Sequence, residues 1–166
     1  MSPRRGEFEQ AVRAYSAELY RFAYWLCRDR HAAEDLVQEA CLRAWKSWPE
    51  LRELAQAKAW LMTIVRNEYA RSVSRRKNET SLDEMDEAQL PSIPSFEDGL
   101  ETAQAVAVLP PAYREPLLLQ VLGGFSCAEI AGMLGTTEGA VMTRLTRARQ
   151  ALRQQHIDSV KRKAAR

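Results

Sequence analysis

Apolar residues return at steps of three and four along almost every ordered stretch of this chain, a period that suits helices and not strands. From Phe8 to Leu26 the series is Phe8, Val12, Tyr15, Leu19, Phe22 and Leu26, which predicts a helix over about Glu7 to Arg28 with one buried stripe. A second helix is predicted from about His31 to Trp48, with Val37, Cys41, Ala44 and Trp48 facing inward and Asp35, Gln38, Glu39 and Lys46 largely elsewhere. Pro49 ends it. Ala57 to about Lys77 reads as a third helix in which Trp60, Leu61, Ile64 and Val65 pack inward, and part of the polar connection before it can form a short helix of its own. Strand-like alternation and internal repeats are absent from the pattern, so the fold class is all-α.

Two prolines and a change of charge divide the chain. Residues 78–95 are acidic, carry Pro91 and Pro94 and show no sustained apolar period, which predicts a flexible acidic linker between two helical domains, 1–77 and 96–166. The second domain should hold a helix from Phe96 to about Leu109 and another from Pro111 to about Leu122, Pro111 being suited to a first helical position. A short helix, a turn and a longer helix follow.

That last arrangement carries specific signals. Gly123 and Gly124 end one helix, and Ser126 with Glu129 forms a capping box at the start of the next. Ile130, Ala131 and Leu134 supply its apolar side, Gly135 suits a tight turn, and Thr137 can cap the helix beyond. In that final helix Val141, Leu145, Ala148 and Leu152 repeat at four, three and four, which leaves Thr143, Arg144, Thr146, Arg147 and Gln150 on the remaining surface. The pattern is that of a helix-turn-helix whose second helix can enter a major groove, where arginine reads guanine or grips phosphate and threonine meets a thymine methyl. The competing account is a helical hairpin with a solvated basic face.

Formal net charge is only +2, yet the charge is sorted. Between Arg66 and Lys77 the chain carries Arg66, Arg71, Arg75, Arg76 and Lys77 against Glu68 alone; from Asn78 to Tyr113 Lys and Arg are absent; from Arg144 to Arg166 basic residues dominate again, opposed only by Asp158. In the third helix Asn67, Arg71 and Ser74 or Arg75 share a face with Arg66 beside them, which can follow a phosphate backbone, and Trp60, Asn67 and Tyr69 could hold unpaired bases. The competing accounts are core packing for Trp60 and a solvated helix end for the arginines.

Enzyme classes find little support. A phosphate-cradling glycine loop, a nucleophile with its base and a metal-ligand spacing are all missing from the pattern, so neither catalysis nor a metal or other cofactor is expected. The three cysteines, Cys27, Cys41 and Cys127, lie far apart and read as small reduced core residues. His31 and His156 stand apart from them. No apolar run is long enough to span a bilayer, and the opening residues lack a signal-peptide core, which predicts a cytoplasmic protein without membrane insertion.

Three segments together resemble a family. AEDLVQEACLRAW from Ala33 to Trp45, AWLMTIVRNEYARSVSRRK from Ala59 to Lys77, and the closing FSCAEIAGMLGTTEGAVMTRLTRARQAL are similar, in this order, to the signature stretches of bacterial RNA polymerase sigma factors of the extracytoplasmic-function group. The resemblance implies that the second helix docks on a coiled coil of the polymerase β′ subunit through Asp35, Gln38, Glu39 and Arg43, within a core enzyme contacted through β′ and β. It implies that the third helix and the loop before it, about Pro49 to Gln56, open the promoter and capture single-stranded bases of the -10 element, with Trp60, Arg66, Asn67, Arg71, Arg75 and Arg76 on the DNA.

The acidic linker then resembles the segment that threads the polymerase's nucleic-acid channels, a flexible spacer being the competing account. The helix-turn-helix would read the duplex -35 element through Thr137, Met142, Thr143, Arg144, Thr146 and Arg147. Met142 stands where the family usually carries Lys or Arg, which removes one expected phosphate or guanine contact. An anti-sigma protein is the further partner implied. A free-standing helix-turn-helix regulator would account for the last third alone.

Overall fold

The computed structural model describes residues 3–80 and 103–166, which are helical apart from short turns and caps. The chain divides into two compact units, one within each of those stretches.

In the first unit α1 (Pro3–Cys27), α2 (Arg30–Ser47) and α3 (Ala57–Thr80) pack pairwise. Helix α1 buries Ala11, Leu19, Phe22, Ala23 and Leu26, so the predicted stripe holds through its second half, while Phe8, Val12 and Tyr15 are half-buried. Arg28 breaks the helix with a left-handed backbone, φ 56°, and its guanidinium lies 5.1 Å from the centre of the Trp25 ring. Asp29 then caps α2, its carboxylate accepting from the Ala32 amide at 2.7 Å.

The inner face of α2 holds the predicted Ala44 and, just beyond the helix, Trp48, but differs from the predicted one before them. Ala33, Leu36, Ala40 and Ala44 are buried, whereas Val37 and Cys41 are only half-buried. Three alanines on the inner face let α2 approach its neighbours closely, and a helix settles on the stripe that packs best rather than on its most apolar members. The connection between α2 and α3 contains two single 3-10 turns, Trp48–Glu50 and Leu54–Gln56. Helix α3 buries Ala57, Leu61, Met62 and Val65, with Trp60 and Ile64 at the margin. It continues to Thr80, so Asn78 to Thr80, read from sequence as the start of the linker, belong to the helix. The remainder of that linker, and the helix start expected at Phe96, lie outside the described residues.

In the second unit a helical segment over 103–107 is followed by α4 (Pro111–Val121), α5 (Cys127–Leu134) and α6 (Glu138–Ala164). Both α4 and α5 pack on α6. The core is Leu117, Leu118, Leu119, Phe125, Ile130, Ala131, Val141, Leu145 and Ala148. The turn after α4 depends on two glycines for different reasons. Gly124 has φ +70°, a conformation costly to side-chain-bearing residues. At Gly123 a Cβ would lie 2.5 Å from the Phe125 ring and 2.6 Å from the Leu119 carbonyl oxygen, and that carbonyl accepts from the Phe125 amide at 3.4 Å.

Glycine substitutions should therefore separate by position. Gly123→Ala is expected to destabilise by about 2 kcal/mol through overpacking against backbone that cannot yield. Gly132→Ala, in α5 with open space around its Cβ position, should stabilise by about 0.5–1 kcal/mol. Urea unfolding followed by far-ultraviolet circular dichroism measures both, and equal effects would contradict this account of the turn.

Candidate nucleic-acid and polymerase interfaces

Once Ala33, Leu36, Ala40 and Ala44 face the core, helical spacing turns Asp35, Gln38, Glu39 and Arg43 outward together, and all four are exposed. The same outer face carries Leu42, 57% exposed, and Trp45, 46% exposed. Phe8 of α1 props the Trp45 ring at 5.2 Å between centroids. An apolar patch rimmed by carboxylates, an amide and a guanidinium is the usual build of a protein interface. Sequence reasoning passed over Leu42 and Trp45, although Leu42 lies off the alanine stripe.

On α3 the structure brings Trp60, Asn67 and Arg71 into line along one face at helical spacing, with Ser74 continuing it and Arg75 at its edge. Trp60 is half-buried, its ring set edge-on to Trp48 at 5.7 Å and 70°. Arg66 and Arg76 project from other sides of the helix. Arg66 returns toward the line, its guanidinium donating to Asn67 Oδ1 at 3.4 Å, while Arg76 exerts its charge on Cys27 of α1. A cleft of about 250 Å³ opens among Arg4, Glu7, Trp48, Pro49, Leu51, Arg52 and Leu54, between the start of α1 and the connection expected to capture bases.

The residue that sequence reasoning most undervalued is Glu68. Counted as the lone acid in a basic run, it is 4% exposed, and its carboxylate is an ion-pair partner of both Arg43 of α2 and Arg71, the latter at 3.2 Å. The signal was present: Leu61, Val65 and Glu68 are spaced by four and three, which puts the glutamate on the buried stripe. One carboxylate thus anchors a side chain of the α2 outer face and one of the α3 basic face. A second inter-helix pair joins Lys58 to Glu18 at 2.7 Å.

In the second unit the local chemistry behaves as its sequence predicts. Ser126 Oγ accepts from the Glu129 amide at 3.1 Å and also donates to the Glu129 carboxylate at 3.1 Å. Gly135 adopts the left-handed turn, φ 63°, and Thr137 Oγ1 caps α6 by accepting from the Ala140 amide at 3.1 Å. With Val141, Leu145 and Ala148 buried, Met142, Thr143, Thr146 and Arg147 are all exposed, while Arg144 flanks the core and is half-buried. A further bond was unforeseen: Arg149 donates to Gln120 Oε1 and ties α6 to α4.

Among the described residues there is no grouping of His, Cys, Asp and Glu able to hold a metal ion and no helix long and apolar enough to cross a membrane. The cysteines are free and half-buried, less deep than a core reading implies. Burial nevertheless pushes the Cys27 thiol up to about 11, against the opposing charge of Arg76, and raises Cys41 in the same way.

Comparison with known proteins agrees with both halves. The profile of Sigma-70 region 2 matches residues 11–79 and that of Sigma-70, region 4 matches residues 100–152. The extracytoplasmic-function (ECF) RNA polymerase sigma factor SigL of Mycobacterium tuberculosis is 36% identical over 146 residues, covering 84% of this chain and 82% of the relative. The ECF RNA polymerase sigma factor SigW of Bacillus subtilis is 28% identical over 167 residues, covering 91% and 89%. Among solved structures, the sigma factor RpoE in complex with the anti-sigma factor NepR from Bartonella quintana is similar with a TM-score of 0.77 and 29% identity, over 89% of this chain and 95% of that one.

Two outcomes test the site's physics. Removing Arg43 or Arg71 singly leaves Glu68 one cation, so each Ala substitution should cost no more than about 1 kcal/mol. Removing both strands a buried carboxylate and should cost about 3 kcal/mol or more, an excess over additivity that a double-mutant cycle in urea measures. Cys27 should alkylate slowly at neutral pH. Its folded pKa lies above the ordinary 9.0, so the stability it contributes is present below that pH and lost as pH rises toward 11. Iodoacetamide labelling against pH should show the rise in reactivity displaced upward relative to the urea-unfolded chain.

Proposed function

Because the chain belongs to the sigma-70 family, in its extracytoplasmic-function group, we propose that it works in the cytoplasm by dividing promoter recognition between its two units. The unit formed by 1–77 docks on core RNA polymerase, through the β′ subunit with β in addition, using Asp35, Gln38, Glu39 and Arg43 around Leu42. Its α3 face and the adjoining cleft take the unpaired -10 bases on Trp60, Asn67, Arg71 and Arg75, with Arg66 and Arg76 contributing positive charge. The stretch 78–95 joins this unit to 96–166, whose helix-turn-helix reads the duplex -35 element with Met142, Thr143, Arg144, Thr146 and Arg147 beyond the Thr137 cap.

The observation that carries this reading is the presence in one chain of a complete, capped helix-turn-helix and, in a separate unit, an acidic and apolar helix face beside a basic one. A free-standing regulator would use only the former and leaves α2 and α3 unexplained. Catalysis, in this account, belongs to the polymerase, and the chain contributes no reacting group or cofactor. Control by an anti-sigma protein is supported by the structural relative that was solved with one; an inhibitor that covers Leu42 and Trp45 would block docking.

Run-off transcription with bacterial core polymerase and a promoter library provides the test. The wild-type chain should confer selective initiation. Asp35→Ala and Leu42→Ala should weaken holoenzyme assembly, Leu42→Ala by about tenfold, and leave upstream sequence preference unchanged. Arg147→Ala should leave assembly intact and weaken upstream recognition by about tenfold. Tight DNA binding without polymerase, and no redirected initiation, would refute the proposal.

A further inference from the structure

Most of the outward arc of the recognition helix is small or apolar, Arg147 and Gln150 being its two long polar side chains. At helical spacing Gly139, Met142, Thr143, Thr146, Arg147 and Gln150 share it, and all are exposed. Both threonine hydroxyls are already engaged with the helix itself: Thr143 Oγ1 donates to the Gly139 carbonyl at 3.0 Å, and Thr146 Oγ1 donates to the Met142 carbonyl at 2.9 Å. Each proton so used is unavailable to a base edge, which leaves each threonine only an acceptor oxygen and its Cγ2 methyl to present. Met142, 55% exposed, adds a thioether chain in the same arc. Gly139 adds nothing: a Cβ there would meet no atom within 4 Å, so the arc is open to close approach near its first turn. Arg144, the other arginine in these turns, is half-buried at the flank, in a position to reach phosphate rather than bases.

On the reading of α6 as the helix that enters the upstream duplex, we propose that it selects its element chiefly by the C5 methyl groups of thymine, with Met142 as the specificity-determining residue and the methyls of Thr143 and Thr146 completing an apolar contact surface. In the major groove that methyl is the one base-edge feature that an apolar side chain recognises by contact. Its burial removes apolar area from both partners without leaving a polar group unpaired. Arg147, at the other side of the arc, supplies a strong donor to guanine or phosphate, and the exposed Gln150 amide two turns beyond Met142 supplies a second polar contact. A lysine or arginine at 142 would put a second donor there, so methionine exchanges a guanine or phosphate contact for a thymine contact.

The test uses the holoenzyme formed from the full chain and core polymerase. A duplex library randomised over the upstream element is first selected for binding. Each thymine of the selected sequence is then replaced by uracil, which keeps the base pair and the phosphate and removes only the methyl. The expected result is a loss of about three- to fivefold per contacted thymine, the scale of one buried methyl. Met142→Ala should weaken binding to thymine duplexes by a similar factor and add little on uracil duplexes, since both changes remove the same contact. Met142→Arg should move the selected base toward guanine. Met142 is exposed, so these variants should fold as the wild type. Equal affinity for thymine and uracil duplexes, or a selected element without thymine, overturns the inference while leaving upstream recognition standing. A library that yields no preferred upstream sequence overturns upstream recognition itself, and the inference with it.

Discussion

A carboxylate removed from water among packed helices is tolerable only with cations beside it, and in the first unit that constraint falls on Glu68. It is held by Arg43 from α2 and Arg71 from its own helix, each about half exposed. The guanidiniums therefore lie at the surface with their charge only partly cancelled. Two cations against one anion leave a positive excess, so the edge of α3 keeps its basic character toward a phosphate chain while the arginines lose the freedom of unpaired surface side chains. The same carboxylate links α2, whose outer face carries Asp35, Gln38, Glu39 and Leu42, to α3, whose face carries Asn67 and Arg71. On the proposed reading, polymerase docking and base capture share one buried charge, and a change in either arginine is felt by the other through it.

Much of the architecture was legible in the chain because its signals are local. Ser126, Gly135 and Thr137 each act on backbone within a few residues, so their effect survives whatever packs around them, and the helix-turn-helix follows nearly residue by residue. The inner face of α2 was less legible. Ala44 and Trp48 were placed on the inner face, where both are buried, but alanine carries little apolar weight, so Val37 and Cys41 drew the earlier part of the stripe one residue away from Leu36 and Ala40. That choice is settled by how closely three helices can approach, a tertiary quantity that no single-helix pattern contains. The end of α3 was missed because the boundary was drawn where the basic run stops at Lys77 and the acids begin with Glu79, whereas backbone hydrogen bonding does not follow the sign of the charge and the helix runs to Thr80.

Site residues followed the same division. Spacing alone placed Asn67 and Arg71 on one face, and exposure of Met142, Thr143, Thr146 and Arg147 followed from the burial of Val141, Leu145 and Ala148. What spacing could not give was the partner of each side chain. Glu68 looked like a stray acid in a basic run until Arg43 arrived from another helix, and the bonds of the α6 threonine hydroxyls to Gly139 and Met142 lay outside what spacing shows. Residue type suggests a chemistry; only the bond already made decides whether the group is free to perform it.

These partnerships bear on why both units are needed. Affinity for DNA comes mostly from phosphate neutralisation by free cations, and here the cations are sorted rather than spread, Arg66 to Lys77 and Arg144 to Arg166 being strongly basic while 78–113 carries no Lys or Arg. Part of that charge is already committed within the fold: Arg71 is shared with Glu68, and Arg149, although its bond to the neutral Gln120 amide leaves it charged, is held against α4. With acids offsetting them elsewhere, the net charge is only +2, so long-range attraction to DNA is modest and each basic face acts at short range. Contacts of that kind become decisive when a common body presents them together, because the second contact is then made at the effective concentration set by the first. A large partner bound through the α2 face would supply that body. On the proposed reading, methyl and base-capturing contacts then discriminate between sequences without trapping the protein on DNA at random, which is what promoter selection by a polymerase subunit requires.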